Sequence, residues 1–244
     1  MKKTFLALTI FLLALGAVAQ VNSRISTRTG TVNQLEAYGR VSYLGLNYYP
    51  VGKDSLLVKN DRSKVDSVLI PPVLTIDKKP YTVCGFRKMA FEYDNDIKYI
   101  NIPSSITEIA NSCFYSCHDL SECVMPSVKA IQGYAFFRTG FKRLALHEGL
   151  RYIGRCAFTE CSHLEYLELP STLEYIGREA FLGCDQLDTV KVNFSQPIDM
   201  DSDVFWLYRP NTQLMKKVLM VPTGSKPSFE AHERWQLFQT IIEY

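Results

Sequence analysis

Beyond Leu15 this 244-residue chain has no apolar run approaching the about 20 residues that a membrane-spanning helix needs, so no later segment is expected to cross a bilayer. Charge of one sign is also scarce, with 27 Lys and Arg against 25 Asp and Glu. That balance disfavours nucleic-acid binding, which rests on clustered cationic charge. Catalytic signatures are missing: there is no G-x-S-x-G elbow, no phosphate-cradling Gly loop and no H-E-x-x-H. The paired carboxylates Glu165/Glu168 and Asp199/Asp201 have the spacing of solvated charges on an exposed strand, so no enzyme is expected. His118, His147, His163 and His232 share no ligand spacing and no C-x-x-C pair occurs, so neither a metal nor a cofactor is expected.

What is present begins with a leader. Lys2 and Lys3 precede the apolar run Phe5 to Leu15, and Ala17-Val18-Ala19 supplies small residues at the cleavage positions, which together predict a secretory signal peptide cut after Ala19. Gln20, rather than Cys, follows the cut, which argues against a lipid anchor. Without Lys2 and Lys3 the chain carries 25 basic and 25 acidic residues. The expected location is exported: periplasmic, cell surface or extracellular.

The body of the chain repeats. An Ala-Phe step or its equivalent falls at Ala90-Phe91, Cys113-Phe114, Ala135-Phe136, Ala157-Phe158, Ala180-Phe181 and Val204-Phe205, at intervals of 23, 22, 22, 23 and 24. Five residues before each Phe stands Phe86, Ile109, Ile131, Ile153, Ile176 or Met200. After the Phe comes an alternating apolar pair, Ile100/Ile102, Cys123/Met125, Leu144/Leu146, Leu167/Leu169 or Val190/Val192, as a strand with one buried face requires. The Ala-Phe segment is read as one helical turn. Such coils are too small to bury their own apolar faces and must stack. His147 and Asn193 stand where other coils have Pro, Thr139 and Asp94 where they have Cys, and Phe141 sits one residue early. These departures are expected to bend the stack without breaking it.

The pattern C-x-x-L-x-x-L-x-L-P-x-x-L-x-x-I-G-x-x-A-F, clearest from Cys161 to Phe181, resembles the BspA-like family of bacterial leucine-rich repeat proteins. The fold class expected is a β-rich α/β solenoid: a right-handed leucine-rich repeat superhelix with a parallel sheet, short helical turns, and N- and C-terminal caps. The layout expected is a signal peptide at 1–19, a flexible tether at 20–36, an N-terminal β cap at 37–82, repeats at 83–193, and an irregular last coil with a C-terminal cap at 194–244. Ser225 and Pro227 predict a helix start, with Phe229, Trp235 and Phe238 facing the last coil and Ile241-Ile242 forming a final strand. Phe205 lies on the repeat's column and is read as core rather than as part of a ligand platform with Trp206. No sorting signal is recognised after the cap.

Seven cysteines in an exported chain suggest disulfides. The repeat argues for small buried core residues instead, because Cys117, Cys161 and Cys184 hold one coil position and Cys123 replaces an aliphatic strand residue.

Function should then reside in positions that packing leaves free. Among the outward residues of the strands, Tyr99, Glu122, Arg143, Tyr166 and Glu168 combine aromatics and Arg of the kind enriched at binding hot spots. They form the candidate ligand-binding face. The resemblance implies a non-enzymatic binding module that recognises a protein partner: host matrix, a receptor or another bacterial surface protein. The alternative is a glycan-binding accessory that stacks Tyr99 and Tyr166 on sugar rings.

Overall fold

The computed structural model describes residues 30–32, 40–60, 64–201, 203–205 and 217–244. The expected signal peptide and the loop around Trp206 lie outside these residues. Each coil has three sides: a strand, a second shorter strand, and the Ala-Phe turn.

The first side is the predicted parallel sheet, with Ile100, Leu144, Leu167 and Val190 turned into the core. It comes in two pieces rather than one. Ser67–Leu69, Tyr99–Asn101 and Glu122–Val124 form a three-stranded ladder. Arg143–Ala145 begins a separate five-stranded ladder through Tyr166–Leu169, Thr189–Val192, Val218–Val221 and Thr240–Glu243. The cause is legible at Gly140. Leu144 follows Phe136 by eight residues, whereas Cys123 and Leu167 each follow their Phe by nine. The shortened coil takes a tight path on which a Cβ at Gly140 would stand 2.2 Å from the His118 carbonyl oxygen. The strand that follows does not pair with Glu122–Val124. Ser67–Leu69, expected in the N-terminal cap, is instead the first strand of this side.

The second side is a four-stranded parallel sheet that the apolar pattern did not announce. It consists of Glu108–Ile109, Ala130–Ile131, Tyr152–Ile153 and Tyr175–Ile176, and a bridge from Ile176 to Met200 continues it. In each pair the Ile points inward and its predecessor outward.

The third side, expected as a helical turn, is built differently. Around Phe136, Tyr134 and Arg138 have positive φ, as do Cys156 and Glu160 around Phe158. That left-handed conformation costs non-Gly residues about 1–2 kcal/mol each. Inter-coil hydrogen bonds offset it. Tyr134, Phe136 and Arg138 donate their N–H groups to Arg155, Ala157 and Thr159 of the next coil, while Ala135 and Phe137 donate within their own coil to Gln132 and Tyr134. Three of these five donors are thus satisfied by the neighbour, so no isolated helix forms.

Inside, the Phe rings stack. Centroids of Phe91, Phe114, Phe136, Phe158, Phe181 and Phe205 are successively 5.1, 5.1, 5.2, 5.2 and 5.5 Å apart. This matches the strand spacing of about 4.8 Å. Beside the rings, the buried thiols of Cys117, Cys161 and Cys184 donate to the carbonyls of Phe91, Phe136 and Phe158 in the preceding coil, at 2.9, 3.2 and 3.3 Å. All seven cysteines are free. Burial pushes the thiols of Cys113, Cys117, Cys123 and Cys184 up, so they stay protonated.

At the N-terminal end, a mixed six-stranded sheet runs in spatial order Gly30–Val32, Val73–Ile76, Lys79–Phe86, Ser55–Lys59, Leu46–Val51 and Val41–Tyr43. Gly30–Val32, inside the segment expected as a tether, pairs in parallel with Leu74–Ile76. Alternating Leu46/Tyr48, Leu56/Val58 and Leu74/Ile76 join the same core as the repeats.

At the other end, the helix Lys226–Ala231 starts after Ser225 with Pro227 in its first turn. The Ser225 hydroxyl donates to the Pro222 carbonyl and does not cap the helix as expected. Trp235 and Phe238 pack on the last ring of the ladder, Phe205. Buried Lys217, immediately before Val218–Val221, donates to the carbonyls of Cys184 (3.3 Å) and Leu187; burial lowers its pKa.

Candidate functional site

All five predicted face residues stand on the first side, but the break at Gly140 divides them. Tyr99 and Glu122 are in-register neighbours on the three-stranded ladder. Burial, with the Glu122 charge second, raises the Tyr99 phenol pKa, so the hydroxyl stays protonated. Arg143, Tyr166 and Glu168 belong to the five-stranded ladder, and there the structure brings them together.

Arg143 and Tyr166 occupy facing positions on adjacent parallel strands. The Arg143 guanidinium carbon lies 4.1 Å from the Tyr166 ring centroid, a cation–π contact. The Tyr166 hydroxyl donates to Glu168 Oε2 at 3.1 Å. Glu168 Oε1 accepts from Lys191 Nζ at 2.9 Å and from Asn193 Nδ2 at 3.2 Å. Lys191 lies 4.5 Å from the Tyr244 ring centroid, and the Tyr244 hydroxyl donates to Asn193 Oδ1 at 2.8 Å. A continuous chain of contacts therefore runs over three adjacent strands and on to Tyr244, just past the last strand of the sheet.

Electrostatics fix the protonation states within it. Burial pushes the Glu168 carboxyl up, but the bonds from Lys191 and Asn193 outweigh it and the pKa is lowered, so Glu168 is ionised at neutral pH. Burial, then the Glu168 charge, raises the Tyr166 phenol, which keeps its proton and donates. Every lone pair used on Glu168 is used internally. The arrangement holds an aromatic-backed guanidinium at a defined position, which suits recognition rather than proton transfer.

Lys191, Asn193 and Tyr244 were not among the predicted site residues. Lys191 shares the outward column of Glu168, one strand along, and that column was the signal available for it. Tyr244 carries no comparable signal, being 53 positions from Lys191 in sequence.

The shortened coil also opens a shallow groove lined by His118, Arg138, Thr139, Glu160, Ser162 and His163. Arg138 and Glu160 pair across it. Among the described residues no group of His, Cys, Asp and Glu could hold a metal ion, and no helix is long and apolar enough to cross a membrane.

Residues 85–207 match the BspA type Leucine rich repeat region, in six copies. With the stacked coils described above, that match places the chain in the BspA-type leucine-rich repeat family. Among solved structures, the T. pallidum leucine-rich repeat protein TpLRR is 23% identical, with a TM-score of 0.54 over 62% of this chain and 70% of that one. The pneumococcal vaccine antigen PcpA is 17% identical, with a TM-score of 0.51 over 75% of this chain and 64% of that one. A leucine-rich repeat protein from Bacteroides ovatus is 22% identical, with a TM-score of 0.48, and this chain spans 56% of it. At these identities the likeness concerns the fold. No curated protein matches the chain.

Proposed function

We propose that this protein is an exported, non-enzymatic binding module whose first sheet side recognises a protein partner, in the manner of an adhesin. The observation that carries the reading is the outward layer of Arg143, Tyr166, Glu168 and Lys191. These residues are organised by one another, while the core beneath them is complete without them. Ordered aromatic and Arg side chains on a rigid sheet are what protein hot spots use.

The glycan alternative needs open ring faces. One face of Tyr166 is covered by Arg143, and Tyr99 lies across the break, so the two tyrosines do not make a joint platform. This favours the protein reading.

The decisive experiment pairs a binding screen on host matrix and bacterial surface proteins with a glycan array, followed by replacement of Tyr99, Arg143 and Tyr166 together by Ala. The variant should keep its circular dichroism, with stability changed by no more than about 0.5 kcal/mol at exposed Arg143 and by about 1 kcal/mol at each of the half-buried Tyr99 and Tyr166. It should lose about 2 kcal/mol or more of partner affinity. A folded variant that binds as tightly as the parent removes this face from the reading, and glycan binding lost with Tyr99 and Tyr166 replaces it with the alternative.

Export is supported by the leader pattern of Lys2, Lys3 and the run Phe5 to Leu15. Intact mass of the protein recovered from periplasmic, surface or medium fractions should correspond to a chain beginning at Gln20. Recovery of a cytoplasmic chain retaining residues 1–19 overturns it.

A further inference from the structure

The second sheet side carries an aromatic pair that the proposed binding face does not use. Tyr152 and Tyr175 are in-register neighbours whose rings stack at 5.2 Å and 11°, and they remain 37% and 42% exposed. Tyr175 therefore covers one face of Tyr152. On the other side the in-register neighbour is Ala130, whose side chain ends at Cβ and leaves the ring face open. One coil further stands Glu108, exposed, in register with Ala130. Its carboxylate has no hydrogen-bond or ion-pair partner among the described residues.

Elsewhere this protein places a cation of its own on such a ring. Arg143 covers Tyr166 at 4.1 Å, Arg87 covers Tyr49 at 4.2 Å, Lys191 covers Tyr244 at 4.5 Å, and Arg138 ends the Tyr115–Phe137 stack at 5.1 Å. Arg143 on Tyr166 is the direct counterpart, because there too the cation comes from the facing position of the preceding coil. On the second side that position is Ala130.

We infer that the slot over Ala130 seats a guanidinium supplied by a protein partner, an arginine side chain that stacks on Tyr152 and hydrogen-bonds to Glu108. Strands spaced about 4.8 Å apart put Glu108 roughly 10 Å from the Tyr152 column, which accommodates one planar group lying on the ring with its edge toward the carboxylate. The guanidinium combines a flat face for the ring with a fork of donors for the carboxylate. Charge complementarity selects it over a neutral group, since Glu108 supplies a formal charge and the tyrosine face a negative quadrupole. This site is separate from the first sheet side and does not depend on it.

The test uses the full-length purified protein with ring-labelled tyrosine. Tyr152 signals are assigned by Tyr152→Leu and followed by NMR during titration with Nα-acetyl-arginine amide, its neutral citrulline isostere and methyl glucoside. The arginine derivative should shift the Tyr152 ring signals saturably at concentrations on the order of millimolar or above, as a single exposed contact allows. The isostere should bind about two- to fivefold more weakly. Glu108→Gln should weaken the arginine response by a similar factor. Ala130→Arg should shift the Tyr152 signals without any probe and abolish the response by filling the seat from within. The Tyr99/Arg143/Tyr166 triple Ala variant should respond like the parent, so failure of the first-side reading leaves this one standing. Equal response to the citrulline derivative, response to methyl glucoside alone, or no response to any of the three overturns the inference.

Discussion

Two sets of stacked contacts run through this molecule, under opposite demands. The inner one stacks Phe rings at 5.1 to 5.5 Å, nearly parallel from Phe114 to Phe205. The outer one, across the five-stranded sheet, alternates chemistry at uneven steps: Arg143 on Tyr166 of the next strand, Glu168 between Tyr166 of its own strand and Lys191 of the next, and Lys191 on Tyr244, just past the last strand. Inside, every coil leaves the same space, and one shape fills it. Outside, solvent sets no shape, so successive coils differ and neighbours satisfy one another pairwise. Identity along a column marks what the fold requires; organised variety marks what it leaves for recognition.

The comparison breaks most decisively at Phe158. The ring is fully buried and sandwiched between Phe136 and Phe181, each 5.2 Å away. Phe158→Ala should cost about 3–5 kcal/mol by leaving a cavity between coils that cannot close. Tyr166→Ala, on the outer ladder, should cost far less. Denaturant midpoints that fall equally for the two variants would mean that the outer contacts carry as much of the fold's stability as the buried rings.

A smaller effect tests the close approach of adjacent coils that the inner ladder requires. A Cβ at Gly177 would lie 2.6 Å from the Arg155 backbone nitrogen and 2.7 Å from the Gly154 carbonyl carbon. Both are backbone atoms of the preceding coil, so they cannot rotate away. Gly177→Ala should destabilise by about 1–3 kcal/mol through overpacking. Thermal unfolding checks it, and an unchanged transition would mean the coils part freely at this point.

The inner ladder was legible in the sequence because each coil spends one large and several aliphatic residues on fixed positions, and six coils repeat the signal. The second sheet was not, because strands of two residues such as Tyr152–Ile153 give no alternation to count. The left-handed turns were hidden as well: Tyr134, Arg138, Cys156 and Glu160 are not residues that advertise positive φ, and what holds them there is a set of hydrogen bonds to another coil. Phe141 marked the shortened coil, but the loss of pairing between Glu122–Val124 and Arg143–Ala145 follows from the path around Gly140, which spacing alone does not describe. Of the candidate face, Arg143, Tyr166 and Glu168 were found as outward residues. Their partner Tyr244 was missed because its contact depends on where the chain returns after Val192, and Asn193, which directly follows that strand, was read only as a replacement for the repeat's Pro.

The smallest effect concerns whether the outer ladder is organised before any partner arrives, and pH reads it. Glu168 has a folded-state pKa below its ordinary value: burial opposes ionisation, but Lys191 and Asn193 outweigh it. A depressed carboxylate contributes stability that is fully present above its unfolded-state value of about 4.3 and is lost as pH falls through the lower folded-state value. Glu168→Gln removes the charge but keeps the shape, so it should cost on the order of 1 kcal/mol or less at neutral pH. The deficit should shrink on acidification, because the parent then loses the same interaction. Urea midpoints for parent and variant, measured from roughly pH 6 down to pH 3, should therefore converge. Curves that run parallel would mean that Lys191 and Asn193 do not hold Glu168 in solution. Arg143 and Tyr166 would then be ordered only by a partner, with a correspondingly larger entropic cost of binding.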